Sequence, residues 1–297
     1  MNGQWIFPSA LSSSWLEKIS TIEKEQDRFK KVPDFSGEIE IQGRKRVKLE
    51  EFETVALDDV DDSLFKSRYE TKYLFSPDLL RPVLEKLTSI YRVLVIGDSR
   101  VQEYESQYLD TREFRFYLDH QNGKLNRYKV RYRRYPGSQL AFFEIKFKNN
   151  KNQTRKWRKK SSQENYCHEG LTEKENLFVN NYFRDNPGRL IPRFMVNYSR
   201  LTLIHKKNPE RVTLDLNLSY FKDGEEAHCK NLVIAEVKQG CPSQGSEFFD
   251  VMREFGVVST SFSKYCFGVY RFYPGLKYNR FKQRYNYIKA LAGEGRN

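Results

Sequence analysis

The sequence predicts a β-dominated α+β fold in which one antiparallel sheet of roughly eight strands closes into a barrel with flanking helices. Charged residues recur two positions apart on strand-like sequence in residues 68–72, 130–134, 143–148, 198–200 and 235–238. Because residues i and i+2 of a strand point to the same side, each segment has one charged face, and most have an apolar or aromatic face opposite. A closed sheet of such strands is apolar outside and charged inside. An interior of Arg, Lys and a few carboxylates suits a chain of phosphates with a divalent metal.

The first residues differ from the rest and predict an N-terminal extension, residues 1–60, that contains a helix and a small hairpin. Ser14–Lys31 is rich in Glu, Lys and Gln and predicts the helix. Residues 37–49 alternate around Gly43, which is typical of a hairpin. Residues 58–63 are acidic and predict a solvated loop before the first charged strand.

Strands dominate from residue 64 onward. They are predicted near residues 67–75, 103–109, 127–135, 140–148, 193–205, 210–219, 231–238 and 265–271. Pro136-Gly137 separates the third strand from the fourth and predicts a hairpin between them. Helices are predicted over residues 76–87, where Ser76 is the N-cap and Pro77 lies in the first turn, and over 172–183, 246–255 and the basic tail 277–292.

Composition narrows the class of partner. The 297 residues include 52 Lys and Arg against 39 Asp and Glu, a formal net charge of +13, which favours polyanionic partners. The four cysteines show no C-x-x-C spacing, so neither a zinc knuckle nor a redox pair is indicated. The first residues lack a signal-peptide pattern, and the apolar run Val93–Ile96 is too short to span a bilayer. We therefore expect a soluble cytoplasmic protein that does not itself span a membrane.

Several features also have ordinary structural explanations. The run Arg155–Lys160 predicts a solvated basic loop, and a guide for a polyanion at a tunnel mouth is the alternative. Arg127 and Lys129 share the parity of Arg131 but are expected in solvent at the strand start. Tyr104 is expected in the core together with Tyr108 and Phe116. For the charged strands as a set, the alternative is an exposed sheet held by salt bridges.

Seven motifs in order carry a family resemblance. They occupy residues 68–73, 104–111, 129–135, 143–146, 211–215, 235–238 and 261–265. Together they resemble the VTC domain, the polyphosphate polymerase module of vacuolar transporter chaperones. That domain belongs to the triphosphate tunnel metalloenzymes, a CYTH-like superfamily whose eight-stranded barrel holds a triphosphate or polyphosphate chain. The resemblance covers about residues 64–272 and implies a tunnel domain over residues 61–275, followed by a basic C-terminal helix or tail, residues 276–297.

The resemblance implies a set of site residues. Phosphate contacts fall on Lys72, Arg131, Arg133, Lys146, Tyr198, Arg200, Arg211, Ser263 and Lys264. Lys148 and Lys238, which share strand faces with Lys146 and Glu236, are further phosphate-binding candidates. Mn²⁺ or Mg²⁺ is expected on Glu236, with Asp215 and Glu70 as the next carboxylates.

Three positions depart from the patterns of relatives. Triphosphate-cleaving relatives usually open with Glu-x-Glu-x-Lys, whereas this chain has Arg68-Tyr-Glu70-Thr-Lys72. The loss of one carboxylate favours the polymerase type. The fungal polymerases have a basic residue near the position of Ser261 and His where Lys148 stands, and both changes bear on turnover or chain-length preference.

These features predict a metal-dependent polyphosphate polymerase that moves the γ-phosphate of ATP or another nucleoside triphosphate to a polyphosphate chain. The alternatives are an inorganic triphosphatase or polyphosphatase on the same fold, and a non-catalytic polyphosphate-binding or polyanion-binding protein. We expect no binding of a nucleic-acid duplex. Any coupling to a membrane would come from a separate membrane protein.

Overall fold

The structure, a computed structural model, describes residues 38–41, 45–60, 69–151, 153–162, 170–229, 231–240 and 245–291. All of them lie in one unit of the chain, residues 37–297. The predicted helix over Ser14–Lys31, residues 61–63 of the acidic segment and Arg68 lie outside the described residues. The predicted N-terminal hairpin is confirmed, because β1 (Glu38–Ile41) pairs with β2 (Lys45–Lys48) in an antiparallel sheet of two strands.

One large sheet contains the other strands. They are β3 (Thr54–Ala56), β4 (Tyr69–Phe75), β5 (Tyr91–Val95), β6 (Val101–Thr111), β7 (Arg127–Tyr135), β8 (Leu140–Lys148), β9 (Thr154–Ser161), β10 (Leu190–His205), β11 (Glu210–Lys222), β12 (Glu225–His228) and β13 (Val233–Gln239). Its main path runs β4-β13-β11-β10-β6-β7-β8-β9, with every neighbouring pair antiparallel. Three short strands lie off this path: β12 pairs with β11, β5 with β10, and β3 with β5. The predicted antiparallel sheet is therefore confirmed.

Six α-helices pack outside the sheet or inside its curl. They are α1 (Leu80–Leu87), α2 (Arg115–Gln121), α3 (Glu173–Tyr182), α4 (Glu247–Glu254), α5 (Lys264–Phe272) and α6 (Lys282–Leu291), counted over the part of the chain that the structure describes. α1, α3, α4 and α6 confirm the predicted helices. α2 was not predicted, and the buried carboxylate of Asp110 holds its start by accepting hydrogen bonds from the backbone N–H groups of Phe116 and Tyr117 at 2.9 and 3.0 Å.

The sheet curls, but no backbone hydrogen bonds between described residues close it into a barrel. The path ends at β4 and β9, which do not pair. The free edge of β4 bonds instead to the segment before α5, since the N–H of Thr260 donates to the carbonyl of Lys72 at 2.8 Å. Side chains nevertheless meet across the curl: Nζ of Lys146 on β8 lies 3.9 Å from Oε2 of Glu70 on β4. The predicted closure of the sheet into a barrel by hydrogen bonds is thus not observed between described residues. The sheet does form a concave charged face.

The concave face has a charged part and an apolar part. In the apolar part α5 packs on inward-facing residues, with the ring of Tyr265 5.2 Å from that of Tyr108 and stacked 5.7 Å from that of Phe194. Residues 265–271, predicted as a strand, belong to this helix, so that prediction was wrong. Gly268 lets the helix approach, because a Cβ there would collide with the Phe194 ring.

Candidate functional site

The charged part of the concave face is built by strand alternation. Register places Lys72 of β4 opposite Glu236 of β13, and Arg211 of β11 opposite Lys238 of β13. It also places Arg200 opposite Asp215. On the other half of the sheet the same alternation brings inward Ser106 and Tyr108 of β6, Arg131 and Arg133 of β7, and Glu144, Lys146 and Lys148 of β8.

A cluster of four charged residues joins β4 and β13. Nζ of Lys72 lies 2.8 Å from Oε2 of Glu236 and also forms an ion pair with Glu70. Burial lowers the pKa of Lys72 to about 8, although Glu236 opposes this shift. Burial would raise the pKa of Glu236, but Lys238, which lies 2.5 Å away, and Lys72 outweigh it and hold that pKa well below its ordinary value. Glu236 is therefore a partly buried carboxylate that stays ionised.

A second cluster links β10, β11 and α5. The Arg200 guanidinium donates to both oxygens of Asp215, with Nε–Oδ1 2.6 Å and Nη2–Oδ2 2.9 Å. Lys264, the first residue of α5, forms an ion pair with the same carboxylate. Burial favours the neutral carboxyl, but these two cations outweigh it and lower the pKa of Asp215 to about 2. Asp215 thus holds two predicted phosphate contacts in place.

A third cluster spans β7, β8 and β9. Arg131 donates through Nε and Nη2 to Oε2 of Glu144 at 2.8 and 2.7 Å. Lys156 of β9 forms an ion pair with the other oxygen of this carboxylate. Burial lowers the pKa of Lys156 to about 8, and Glu144 opposes the shift. Residues 155–160, predicted as a loop, are part of strand β9, so that prediction was wrong. Register places Lys156 beside Lys146 on the inward face.

Arg133 has a different environment, because its hydrogen-bond partners are neutral. Its Nη2 donates to the Tyr198 hydroxyl at 2.8 Å and its Nε to Ser106 Oγ at 3.3 Å. The side chain is buried, yet no carboxylate oxygen of the described residues lies within 4 Å of its nitrogens. Burial raises the pKa of Tyr198 to about 12, so this hydroxyl remains a neutral partner at physiological pH.

Lys129 is a site residue that the sequence interpretation missed. It was expected in solvent, but its Nζ donates to Ser263 Oγ at 2.9 Å, and burial lowers its pKa. Ser263 is also the N-cap of α5, where its Oγ accepts the N–H of Cys266 at 3.2 Å. The signal in the sequence was that Lys129 lies two residues before Arg131 and therefore on the same strand face. It was discounted because a strand start is usually exposed, whereas in the structure α5 covers that end of β7.

The remaining predicted phosphate-binding residues also lie on the inward face. Burial lowers the pKa of Arg211, and the nearby charge of Arg200 adds to this. Burial likewise lowers the pKa of Lys146 and Lys238. Lys148 is partly buried at the end of β8, opposite Arg127 in the register. The predicted phosphate contacts therefore lie on the inward face of the sheet or, for Ser263 and Lys264, at the start of α5, and their role there stays a prediction.

Two of the three predicted metal ligands fit a divalent ion. Glu70 and Glu236 contact the same Lys72 ammonium, so both can reach one cation. Mg²⁺ and Mn²⁺ accept one or two carboxylates when phosphate oxygens and waters complete the shell. Asp215 has both oxygens engaged by Arg200, so it fits an anchoring role better than metal ligation. Within the described ranges, no group of three or more Asp, Glu, His or Cys is arranged to hold a metal.

Comparisons with known proteins identify a family. The VTC domain family matches residues 67–273, which is more than half of the chain. None of the curated proteins matches the chain in sequence. Among the residues that can be described, no helix combines the length and the apolar character needed to cross a membrane.

Solved structures show weaker likeness. A protein of Bacillus halodurans described as a candidate adenylate cyclase is 14% identical, with a TM-score of 0.46 over 70% of this chain and 97% of its own. A candidate adenylyl cyclase from Hippeastrum, described as having a dominant triphosphatase activity, is 12% identical, with a TM-score of 0.45 over 69% and 95%. A candidate adenylate cyclase from Vibrio parahaemolyticus is 10% identical, with a TM-score of 0.40 over 67% and 97%.

Proposed function

Because the chain belongs to the VTC domain family, we propose that it is a metal-dependent polyphosphate polymerase that transfers the γ-phosphoryl group of ATP or another nucleoside triphosphate to a polyphosphate chain. Family membership supports an enzyme that acts on polyphosphate or triphosphate. The observation that carries the proposal is the inward face, where basic side chains of neighbouring strands surround ionised carboxylates that are buried (Asp215, Glu144) or partly buried (Glu236). Such a surface matches a chain with about one negative charge per phosphate.

The reaction needs positioning and charge neutralisation more than covalent help from the protein. A terminal oxygen of the bound chain forms a bond to the γ-phosphorus while the bond from that phosphorus to the β–γ bridging oxygen breaks, and the nucleoside diphosphate leaves. Arg131 and Arg133 face the chain from one wall, and Arg200 with Lys264 faces it from another. Guanidinium groups that are already oriented offset the charge that develops on the transferring group.

Glu236 and Glu70 are the residues that would hold the divalent ion. A divalent ion held there would offset the negative charge of the phosphate chain. Lys238 and Lys72 keep Glu236 ionised, which a metal ligand requires.

Two other functions remain as alternatives on the same surface. Water in place of the acceptor chain would make the protein a triphosphatase or polyphosphatase. If the inward face binds a polyanion but catalyses no reaction, the protein is a polyanion-binding protein. The polymerase is preferred because Arg68 stands where triphosphate-cleaving relatives usually have a glutamate. We also propose a cytoplasmic location and, where transport is involved, a separate membrane protein as partner; cell fractionation and co-purification test both.

The deciding experiment is incubation of the purified protein with ATP and Mn²⁺ or Mg²⁺, followed by gel detection of polyphosphate. A metal-dependent ladder of long chains is expected. Release of orthophosphate alone would replace the polymerase with the hydrolase. Tripolyphosphate binding without turnover under any metal would replace both with the binding protein.

Glu236→Gln should lower the rate on the order of a hundredfold or more, because the positioning of a metal is worth several kcal/mol of transition-state stabilisation. The matched control is Glu254→Gln, an exposed carboxylate paired with Lys86 on the helical surface, which should keep wild-type turnover. Turnover and Tm are measured for both variants. Near-wild-type activity of Glu236→Gln with metal dependence retained would show that Glu236 does not hold the metal.

A further inference from the structure

Tyr104 lies at the centre of the inward face, although the sequence placed it with the core aromatics. It is on β6, between β10 and β7 in the sheet, and is only partly buried. Its register partner on β10 is Tyr198, and the two rings stack at 5.1 Å with an interplanar angle of 9°. The ring of Tyr135 on β7 meets it edge-on at 5.0 Å. Tyr104 is thus held by one ring from each neighbouring strand.

Two predicted phosphate contacts lie against this ring. The Cζ atom of Arg200 is 4.8 Å from the Tyr104 centroid, and the Cζ atom of Arg133 is 5.0 Å from it. Both distances are within the range in which a guanidinium is attracted to an aromatic ring. The arginines come from β10 and β7, the two strands that flank β6. The Tyr104 ring therefore contacts one guanidinium group from each of the two strands that flank β6.

The two arginines depend on this ring to different degrees. Arg200 is fixed independently by its two hydrogen bonds to Asp215. Among the residues that the structure describes, Arg133 donates only to the hydroxyls of Ser106 and Tyr198. A buried guanidinium with neutral partners gains more from an adjacent ring face than one that already has a carboxylate. Loss of the ring should therefore release Arg133 first.

We propose that Tyr104 is a positioning residue whose ring orients Arg133, and secondarily Arg200, toward the same stretch of a phosphate chain. The inference rests on the proposed function for the identity of the anion. It assigns no contact between Tyr104 and phosphate. The aromatic ring is the functional part and the hydroxyl is dispensable.

The test compares Tyr104→Phe, which keeps the ring, with Tyr104→Leu, which removes it. Tripolyphosphate affinity is measured by calorimetry without metal, and Tm is recorded for each variant. Tyr104→Phe should bind within about twofold of wild type, and Tyr104→Leu should bind about tenfold more weakly, because the ring contributes a cation–π contact to each arginine. Tyr69→Leu, an exposed tyrosine at the start of β4, is the control and should bind as wild type does. If Tyr104→Leu does not fold, Tyr104→Met replaces it.

A second readout separates this inference from the proposed function. The Nε–Hε resonances of Arg133 and Arg200 report ring currents directly in NMR spectra of the protein without ligand. Both should move in Tyr104→Leu, that of Arg133 further, and both should stay near wild-type positions in Tyr104→Phe. Failure of the wild type to bind tripolyphosphate would overturn the proposed function, and unmoved resonances would overturn the role of Tyr104. Equal loss of affinity in Tyr104→Phe and Tyr104→Leu would overturn it too.

Discussion

Arg131 and Arg133 lie two apart on β7 and present guanidinium groups from the same wall. Lysine keeps the charge but lacks the planar fork that binds two oxygens at once. If the two arginines act on the transferring phosphoryl group, as proposed, Arg131→Lys and Arg133→Lys should each lower kcat by at least roughly tenfold without unfolding the protein. Steady-state kinetics and Tm measure this.

The matched control is Arg134→Lys on the same strand. Arg134 points to the opposite face and donates through Nε to Glu105 at 2.5 Å, so the swap should leave kcat unchanged. If the arginines of the inward face only stabilised an exposed sheet, their lysine variants would cost almost nothing, since exposed ion pairs contribute about 0–1 kcal/mol. Two variants with wild-type kcat would refute the role of this wall.

At the scale of elements, β9 extends the charged wall by one strand. Its inward-facing Lys156 has a pKa near 8 because of burial, with Glu144 opposing and Arg131 and Arg133 adding to the shift. A bound polyanion favours the charged ammonium and raises that pKa. Binding at pH 8 should therefore take up about half a proton at this residue, and affinity should fall as pH rises through 8.

Calorimetry of tripolyphosphate binding in two buffers of different ionisation enthalpy measures this uptake. Lys156→Met should remove a large part of it. Lys159→Met, on the other face of the same strand, should leave it unchanged. Proton uptake that is the same in wild type and Lys156→Met would show that β9 does not contact the anion.

At the scale of the whole molecule, the net charge of +13 and the concave wall predict different binding properties. Net charge makes any polyanion bind more weakly as salt rises. The curved wall adds selectivity for chain length, so tripolyphosphate should bind more tightly than pyrophosphate at equal salt. Duplex DNA should compete poorly, because the space between β4 and β8 is narrow enough for Lys146 to lie near Glu70. Competition titrations at several salt concentrations test this selectivity. If duplex DNA competes as well as tripolyphosphate, a general polyanion-binding protein is favoured.

The sequence by itself determined most strands of the main sheet path and which of their faces is charged, with β9 and residues 265–271 as the exceptions. β7 and β8 have the bounds predicted from their alternation, and Arg131, Arg133 and Lys146 share the predicted inward side. Alternation is a local property with a period of two residues, so short stretches of sequence report it reliably. The N-cap residue Ser76 is a local signal in the same way, and in the structure it caps the 3-10 turn Pro77–Leu79 that leads into α1.

Only the tertiary structure decided what the strands enclose. α5 lies within the curl and is buried along most of its length, so it has no polar face by which its sequence could be told from a strand. The basic residues of β9 were predicted to form a loop, and only the pairing of this segment with β8 determines which of its side chains face inward. Lys129 contacts Ser263, 134 residues later in the chain. Contacts between residues so far apart in the chain depend on how the sheet curls. The curl cannot be predicted from a local periodicity of the sequence.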